Sequence, residues 1–144
     1  MPYKILISLL FIALLIIPNN ITAQCKLFKF DDYKIYLCNP AAVSISAANA
    51  SSLDALAKVY LNHKNQNFGK NPKIIKRDFQ GRNAIVIISK EIGNKNSPNS
   101  VILVQYKNPV TLQLPSGPKT YGFLAISTDK DSVSTIISFL QFFD

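Results

Sequence analysis

Ile85-Val86-Ile87-Ile88 is an unbroken β-branched run inside the segment KIIKRDFQGRNAIVIISKE, residues Lys73–Glu91. Branching at Cβ stiffens the side chain and favours extended backbone. A strand with one wet face alternates apolar and polar residues, so a run with no polar member predicts a strand covered on both faces, central in a sheet. The residues before it read as a half-buried strand, and Gln80–Asn83, with Gly81, as a polar turn between the two. Residues 73–91 therefore predict a β-hairpin, and the rest of the chain must supply what covers it.

The first residues do not belong to that domain. Lys4 gives a short positive start, Ile5–Ile17 is apolar, Pro18–Asn20 breaks the run, and Ile21-Thr22-Ala23 offers small residues before Gln24. This is the layout of a secretory signal peptide. The apolar run is short for a membrane span, which takes about 20 residues. Gln24, rather than a small residue, precedes Cys25, which argues against lipid attachment. The expected division is a signal peptide over 1–23 and a single domain over 24–144, exported to the periplasm or secreted. No membrane span is expected after cleavage.

The whole chain carries a net charge of +8 over 144 residues, and loss of Lys4 removes one positive charge. Nearly all the cations are lysines; Arg77 and Arg82 are the two arginines. Nucleic-acid readers rely on arginine with aromatic side chains placed for stacking. Here the lysines are scattered and the aromatics occupy core-like positions, so no nucleic-acid partner is expected. The charge suits an anionic envelope polymer or lipid, or an acidic protein partner. An equally simple source is an AT-rich genome, in which Lys, Asn and Ile are over-used.

Cys25 and Cys38 are the only cysteines. Folding CKLFKFDDYKIYLC about a two-residue turn at Asp31-Asp32 sets Phe30 against Tyr33, Phe28 against Ile35, Lys26 against Leu37 and Cys25 against Cys38. Hydrogen-bonded and non-hydrogen-bonded pairs alternate outward from such a turn. The cysteines then fall on a non-hydrogen-bonded pair, with Cα atoms about 4.5 Å apart, within disulfide reach. The same register gathers Phe28, Phe30, Tyr33, Ile35 and Leu37 on one face. A structural disulfide is expected, contributing about 3 kcal/mol on the chain-entropy account. The spacing is not that of a C-x-x-C redox pair, and His63 stands at no metal-site spacing from either cysteine.

Taken in order, Asn39-Pro40 ends the hairpin, and Ala41–Ala50 reads as a loop with a short strand-like piece. Asn49-Ala50-Ser51 matches the glycosylation acceptor pattern, which matters only in a eukaryotic secretory pathway. Leu53–His63 is predicted as a helix: Ser51 and Asp54 resemble a capping box, and Leu53, Leu56, Ala57, Tyr60 and Leu61 form one apolar stripe. Gly69 and Pro72 mark the linker to the central hairpin. Ile92–Ser100 has the composition of a mobile loop. Val101–Tyr106 and Val110–Leu114 read as strands parted by a turn at Asn108-Pro109. Pro115-Ser116-Gly117-Pro118 is a turn, and Thr120–Ser127 the last strand, with Gly122 suited to a bulge. Thr128 and Asp131 begin a second helix in which Val133, Ile136, Ile137 and Leu140 make an apolar stripe widened by Phe139, Phe142 and Phe143, a cluster expected in the core.

The chain lacks the usual marks of an active site. It has no glycine-rich phosphate loop, one histidine, and no G-x-S-x-G elbow. Its carboxylates are Asp31, Asp32, Asp54, Asp78, Glu91, Asp129, Asp131 and Asp144; turn, capping and solvated roles account for them. No enzyme, cofactor or metal is expected. The candidates for partner contact are Lys58, His63 and Lys64 on the polar helix face and Lys95 in the Ile92–Ser100 loop.

The order of these elements, with the helix SSLDALAKVYL, the turn Gln80-Gly81-Arg82-Asn83-Ala84 and the closing Ser138-Phe139-Leu140 with its phenylalanines, resembles the PsbP-like superfamily of small exported α+β proteins of the DcrB type. The resemblance covers most of residues 24–144 and rests on structural rather than catalytic motifs. It implies an α/β/α sandwich and a non-catalytic binding or assembly role, with no functional residue to transfer. The N-terminal disulfide hairpin and a signal peptide in place of a lipid anchor depart from it.

The expected fold is therefore α+β: an antiparallel sheet of about five to seven strands flanked by two helices, with an N-terminal disulfide-linked hairpin. The expected function is that of a non-enzymatic, monomeric envelope or secreted protein that binds a macromolecular partner through a sheet edge or loop, or aids assembly. A secreted effector or inhibitor acting on a host or competitor molecule, and a small hydrolase with an unrecognised site, are the alternatives.

Overall fold

The computed structural model describes residues 25–38, 43–62, 68–90 and 98–143. These residues form an α+β fold, with two helices and two antiparallel sheets among them. A hairpin of β1 (Cys25–Lys29) and β2 (Tyr33–Cys38) leads to β3 (Val43–Ala48), then α1 (Leu53–Asn62), β4 (Lys73–Phe79), β5 (Arg82–Ile88), β6 (Ser100–Leu114), β7 (Gly117–Thr128), α2 (Val133–Phe139) and β8 (Gln141–Phe142). The larger sheet has the order β3-β7-β6-β5-β4, and the smaller one β1-β2-β8.

The β-branched run behaves as its composition predicts. β5 lies between β4 and β6, and its side chains alternate between two cores. Ile85 and Ile87 join Val101, Leu103, Phe123 and Ala125 beneath Leu56 and Ala57 of α1. Ala84 and Val86 join Ile102, Val104, Leu124 and Ile126 on the other face, against Tyr33 and Ile35 of β2, Val133 and Ile136 of α2, and Phe142. Both faces of the central strands are dry, which is why these strands carry no alternation of apolar and polar residues.

The hairpin β1–β2 has the expected register: Cys25 opposite Cys38, Lys26 opposite Leu37 and Phe28 opposite Ile35. It does not join the large sheet. It lies across it with α2, and β8 pairs with the other side of β2, Phe142 opposite Tyr33 and Gln141 opposite Lys34. The eight strands of the described residues thus divide between two sheets.

Several local expectations are corrected. The strand-like piece expected within 41–50 is a full strand over Val43–Ala48: β3 forms the edge of the large sheet, its small residues paired with β7 from Val43–Thr128 to Ala48–Phe123. The N-cap of α1 is Ser52, whose Oγ accepts the Ala55 N–H at 3.0 Å, rather than Ser51. The turn after β4 is confined to Gln80 and Gly81, with φ of 53° and 81°, as a type I′ turn requires, and Arg82 and Asn83 are already strand. Asp78 Oδ1 accepts the Gly81 N–H at 3.0 Å. A Cβ at 81 would lie 3.2 Å from Lys107 Cε, the movable end of a flexible side chain, so it is the positive φ that asks for glycine there.

Asn108-Pro109 is no turn. β6 runs through it as an irregularity, since the register with β7 passes from Gln105–Phe123 to Val110–Tyr121. Gly122 faces that insertion. The Asn49 side chain fixes the spot, accepting the Gly122 N–H at 2.8 Å and donating to the Thr120 carbonyl at 2.7 Å. Beyond it, Val110–Leu114 and Gly117–Tyr121 continue as a two-stranded arm. The final residues of the loop predicted at 92–100 are also ordered into the fold. Asn99 is buried, donates its N–H to Thr128 and accepts the Lys130 N–H on Oδ1 at 2.9 Å; residues 91–97 lie outside the described residues.

α2 begins at Ser132, not at Thr128, which is buried at the end of β7. Asp129 Oδ1 accepts both the Ser132 N–H, at 3.0 Å, and its hydroxyl, at 2.9 Å. The helix stops at Phe139, and the chain turns extended at Leu140 so that Phe142 can enter the core. The turn residue Gln80 holds this bend: its amide donates to the Leu140 carbonyl at 2.8 Å and accepts the Phe142 N–H at 2.9 Å.

Candidate partner-binding face

Of the sequence-derived partner residues, only Lys58 falls among the described residues. Lys58 is exposed on α1, on the opposite side of the large sheet from the N-terminal hairpin. His63, Lys64 and Lys95 lie outside the described residues.

A different surface stands out. Among the described residues no strand pairs with the outer side of β1, and all five of its residues are exposed. Around it lie most of the large apolar side chains left in solvent: Leu27 (48 %), Phe28 (43 %), Phe30 (43 %), Tyr36 (38 %) and, from the end of α2, Phe139 (54 %). Alternation along the hairpin sets Cys25, Leu27 and Lys29 with Lys34 and Tyr36 on the outer face of the small sheet, and Lys26, Phe28 and Phe30 with Tyr33, Ile35 and Leu37 on the inner face. β2 is sheltered on its inner face by the core, whereas β1 overhangs it. The inner-face apolar stripe is therefore core only in its β2 half, and Phe28 and Phe30 depart from the core-like positions expected of the aromatics. Phe139 is likewise not core: its ring tilts against Tyr36, with centroids 5.5 Å apart. Lys29 Nζ stands 5.6 Å from the Phe143 ring.

The sequence carries part of the signal for this surface, but not which residues stay wet. A hairpin whose two strands both carry aromatic residues, at the edge of a domain, has more apolar area than one core face can take. Which strand stays wet depends on the docking of β2 and β8, which is a tertiary matter.

Behind the turn of this hairpin is a recess of about 280 Å³ lined by Asp32, Arg82, Tyr106, Lys107, Phe142 and Phe143 among others. The Arg82 guanidinium lies 4.3 Å from the centre of the Phe142 ring and donates to the Gln80 carbonyl at 2.9 Å. Asp32 is not the solvated turn residue expected from sequence. It is half-buried, with Oδ2 shielded from solvent, and its carboxylate lies against the Tyr106 phenol. Burial, then the Asp32 charge, pushes Tyr33 up to about 12. Burial, then the Asp32 charge and hydrogen bond, raises Tyr106 as well. Both phenols are held neutral, so neither is poised as a nucleophile or base near pH 7. Among the described residues, no group of three or more His, Cys, Asp or Glu side chains could hold a metal ion. No helix among them is long and apolar enough to cross a membrane.

No protein family, curated protein or solved structure matches the chain.

Proposed function

We propose that this is an exported, non-catalytic binding protein that engages a macromolecular partner through its N-terminal hairpin. The observation that carries the proposal is the exposed strand β1, which combines an open backbone edge with Leu27, Phe28, Phe30 and the neighbouring Tyr36 and Phe139 in solvent. Monomeric surfaces seldom keep such a cluster unless something covers it, and an open sheet edge is a recurrent route to partner recognition.

Export is proposed from the signal-peptide pattern of residues 1–23. It accords with a Cys25–Cys38 disulfide, which the opposed register supports. A PsbP-like relationship is supported by the position of the two helices on opposite faces of the large sheet; the small second sheet is an addition to that plan.

The test is retention of material from the organism's own envelope fraction by the tagged, processed protein, washed at low and then high salt. The expected result is a defined protein retained through high salt by the native chain and lost from a Phe28→Ser/Phe30→Ser variant. Release of anionic polymer or lipid alone as salt rises would reduce the interaction to charge, and retention unaffected by the double substitution would move the contact away from the hairpin.

A further inference from the structure

We infer that the occupant of the β1 edge is a second copy of this chain, paired antiparallel about Leu27 to give a continuous six-stranded sheet across a two-fold axis. The inference deepens the proposed function and rests on the reading of the hairpin as a contact surface.

The hydrogen-bond phase of the hairpin selects the register. The Phe30 N–H donates to the Tyr33 carbonyl at 2.8 Å, which makes that pair a hydrogen-bonding one. By alternation along the ladder, Phe28 and Lys26 also turn their backbone groups towards β2. The N–H and C=O of Leu27 therefore point away from it, to the open side. Two β1 strands approaching antiparallel about Leu27 let each Leu27 exchange both hydrogen bonds with Leu27 of the partner subunit, and the ladder extends to either side. Such an isologous contact closes on itself and cannot propagate into a fibre.

The side chains fit the same register. CKLFK, reversed about its middle residue, sets Leu27 beside Leu27 of the partner subunit, Lys26 beside Phe28 of the partner subunit, and Lys29 beside Cys25 of the partner subunit. No lysine lies directly opposite a lysine, and Lys26 meets an aromatic ring that can accept its charge and its stem. Lysines on an edge strand usually deter pairing; here that deterrence acts on shifted registers and leaves this one open. On the outer face, the row Phe139–Tyr36–Leu27 meets its symmetry mate at the axis, so one apolar strip runs over both subunits.

The experiment is sedimentation velocity over a concentration series on the protein expressed from its full-length chain and purified as the cell processes it. Two variants accompany it. Leu27→Pro removes the outward N–H without touching the bonds to β2, an edge position where proline is tolerated; Leu27→Lys keeps the backbone intact and places like charges on the axis. The native chain is expected to reach twice the monomer mass, with dissociation constants about tenfold or more higher for both variants. A native chain that stays monomeric to the highest soluble concentration overturns the inference, as does a dimer that both variants leave unchanged. If the native chain is monomeric but still retains an envelope protein through Phe28 and Phe30, self-pairing falls and the proposed function stands; if nothing is retained either, both fall.

Discussion

The side-chain amide of Gln80 bridges the chain on both sides of Gln141: it donates to the carbonyl of Leu140 and accepts the N–H of Phe142, at 2.8 and 2.9 Å. One residue of a tight turn thereby sets where α2 stops and where Phe142 enters the core. Phe142 in turn contacts the rings of Tyr33, Phe79 and Tyr106 and the guanidinium of Arg82.

Gln80→Ala removes both bonds and leaves two backbone groups to find water. The expected loss is about 1–2 kcal/mol in chemical denaturation, at an unchanged denaturant slope. Gln80→Glu keeps the acceptor for Phe142 and loses the donor to Leu140, so it should fall between the native chain and Gln80→Ala. Equal stability of all three would mean that the bend at Leu140 is held by side-chain packing alone.

Cys25 and Cys38 should be oxidised once the chain is exported as proposed. Its intact mass is expected about 2 Da below that of the reduced chain, as one S–S bond requires. The double substitution to serine is expected to cost about 3 kcal/mol, because the closed hairpin no longer restricts the unfolded chain. Two free thiols in the exported protein would remove the reason for this pairing.

Alkaline pH should destabilise the fold through Tyr33 and Tyr106. Both phenols have raised values in the folded state, so the folded state holds its protons longer than the unfolded one. Their contribution is complete below the ordinary tyrosine value, near pH 10, and is lost as pH climbs to about 12 for Tyr33. Asp32→Asn removes the charge that faces both rings, and thermal melts between these limits should then fall less steeply with pH. An identical pH dependence would assign the shifts to burial alone.

Lys76 Nζ lies 3.0 Å from Asp54 Oδ1, between β4 and the first turn of α1, and both side chains are exposed. Water and salt screen such a pair, so Lys76→Ala is expected to change stability by less than about 1 kcal/mol. A larger loss would show that the pair orients α1 on the sheet.

The large-sheet core and the hairpin register were legible because they follow from local periodicity. Ile85–Ile88 announced a strand buried on both faces, and the cysteines and aromatics of residues 25–38 agreed on one pairing. What escaped depends on distant chain. The six residues of β3 are too small and polar to declare themselves, and they become a strand only because β7 offers an edge. Asn108-Pro109 looks like a turn, but the flanking residues on both sides already have partners in β7. Asp32 reads as a turn residue until Tyr106, distant in sequence, comes to lie against it. The candidate face was hidden for the same reason: Phe28 and Phe30 obey the alternation of core residues, and only the overhang of β1 leaves them wet.

The two-stranded arm beyond Gly122 has a dynamic consequence. A ribbon of two strands has no third neighbour to hold it, and such pairs are marginal when isolated. Past Asn49, which ties the Gly122 N–H and the Thr120 carbonyl, the amides of Val110–Leu114 and Gly117–Tyr121 will trade hydrogen for deuterium well before those of Phe123–Thr128. The molecule thus carries a soft tip on a rigid trunk, and the boundary between fast and slow exchange falls at a single asparagine.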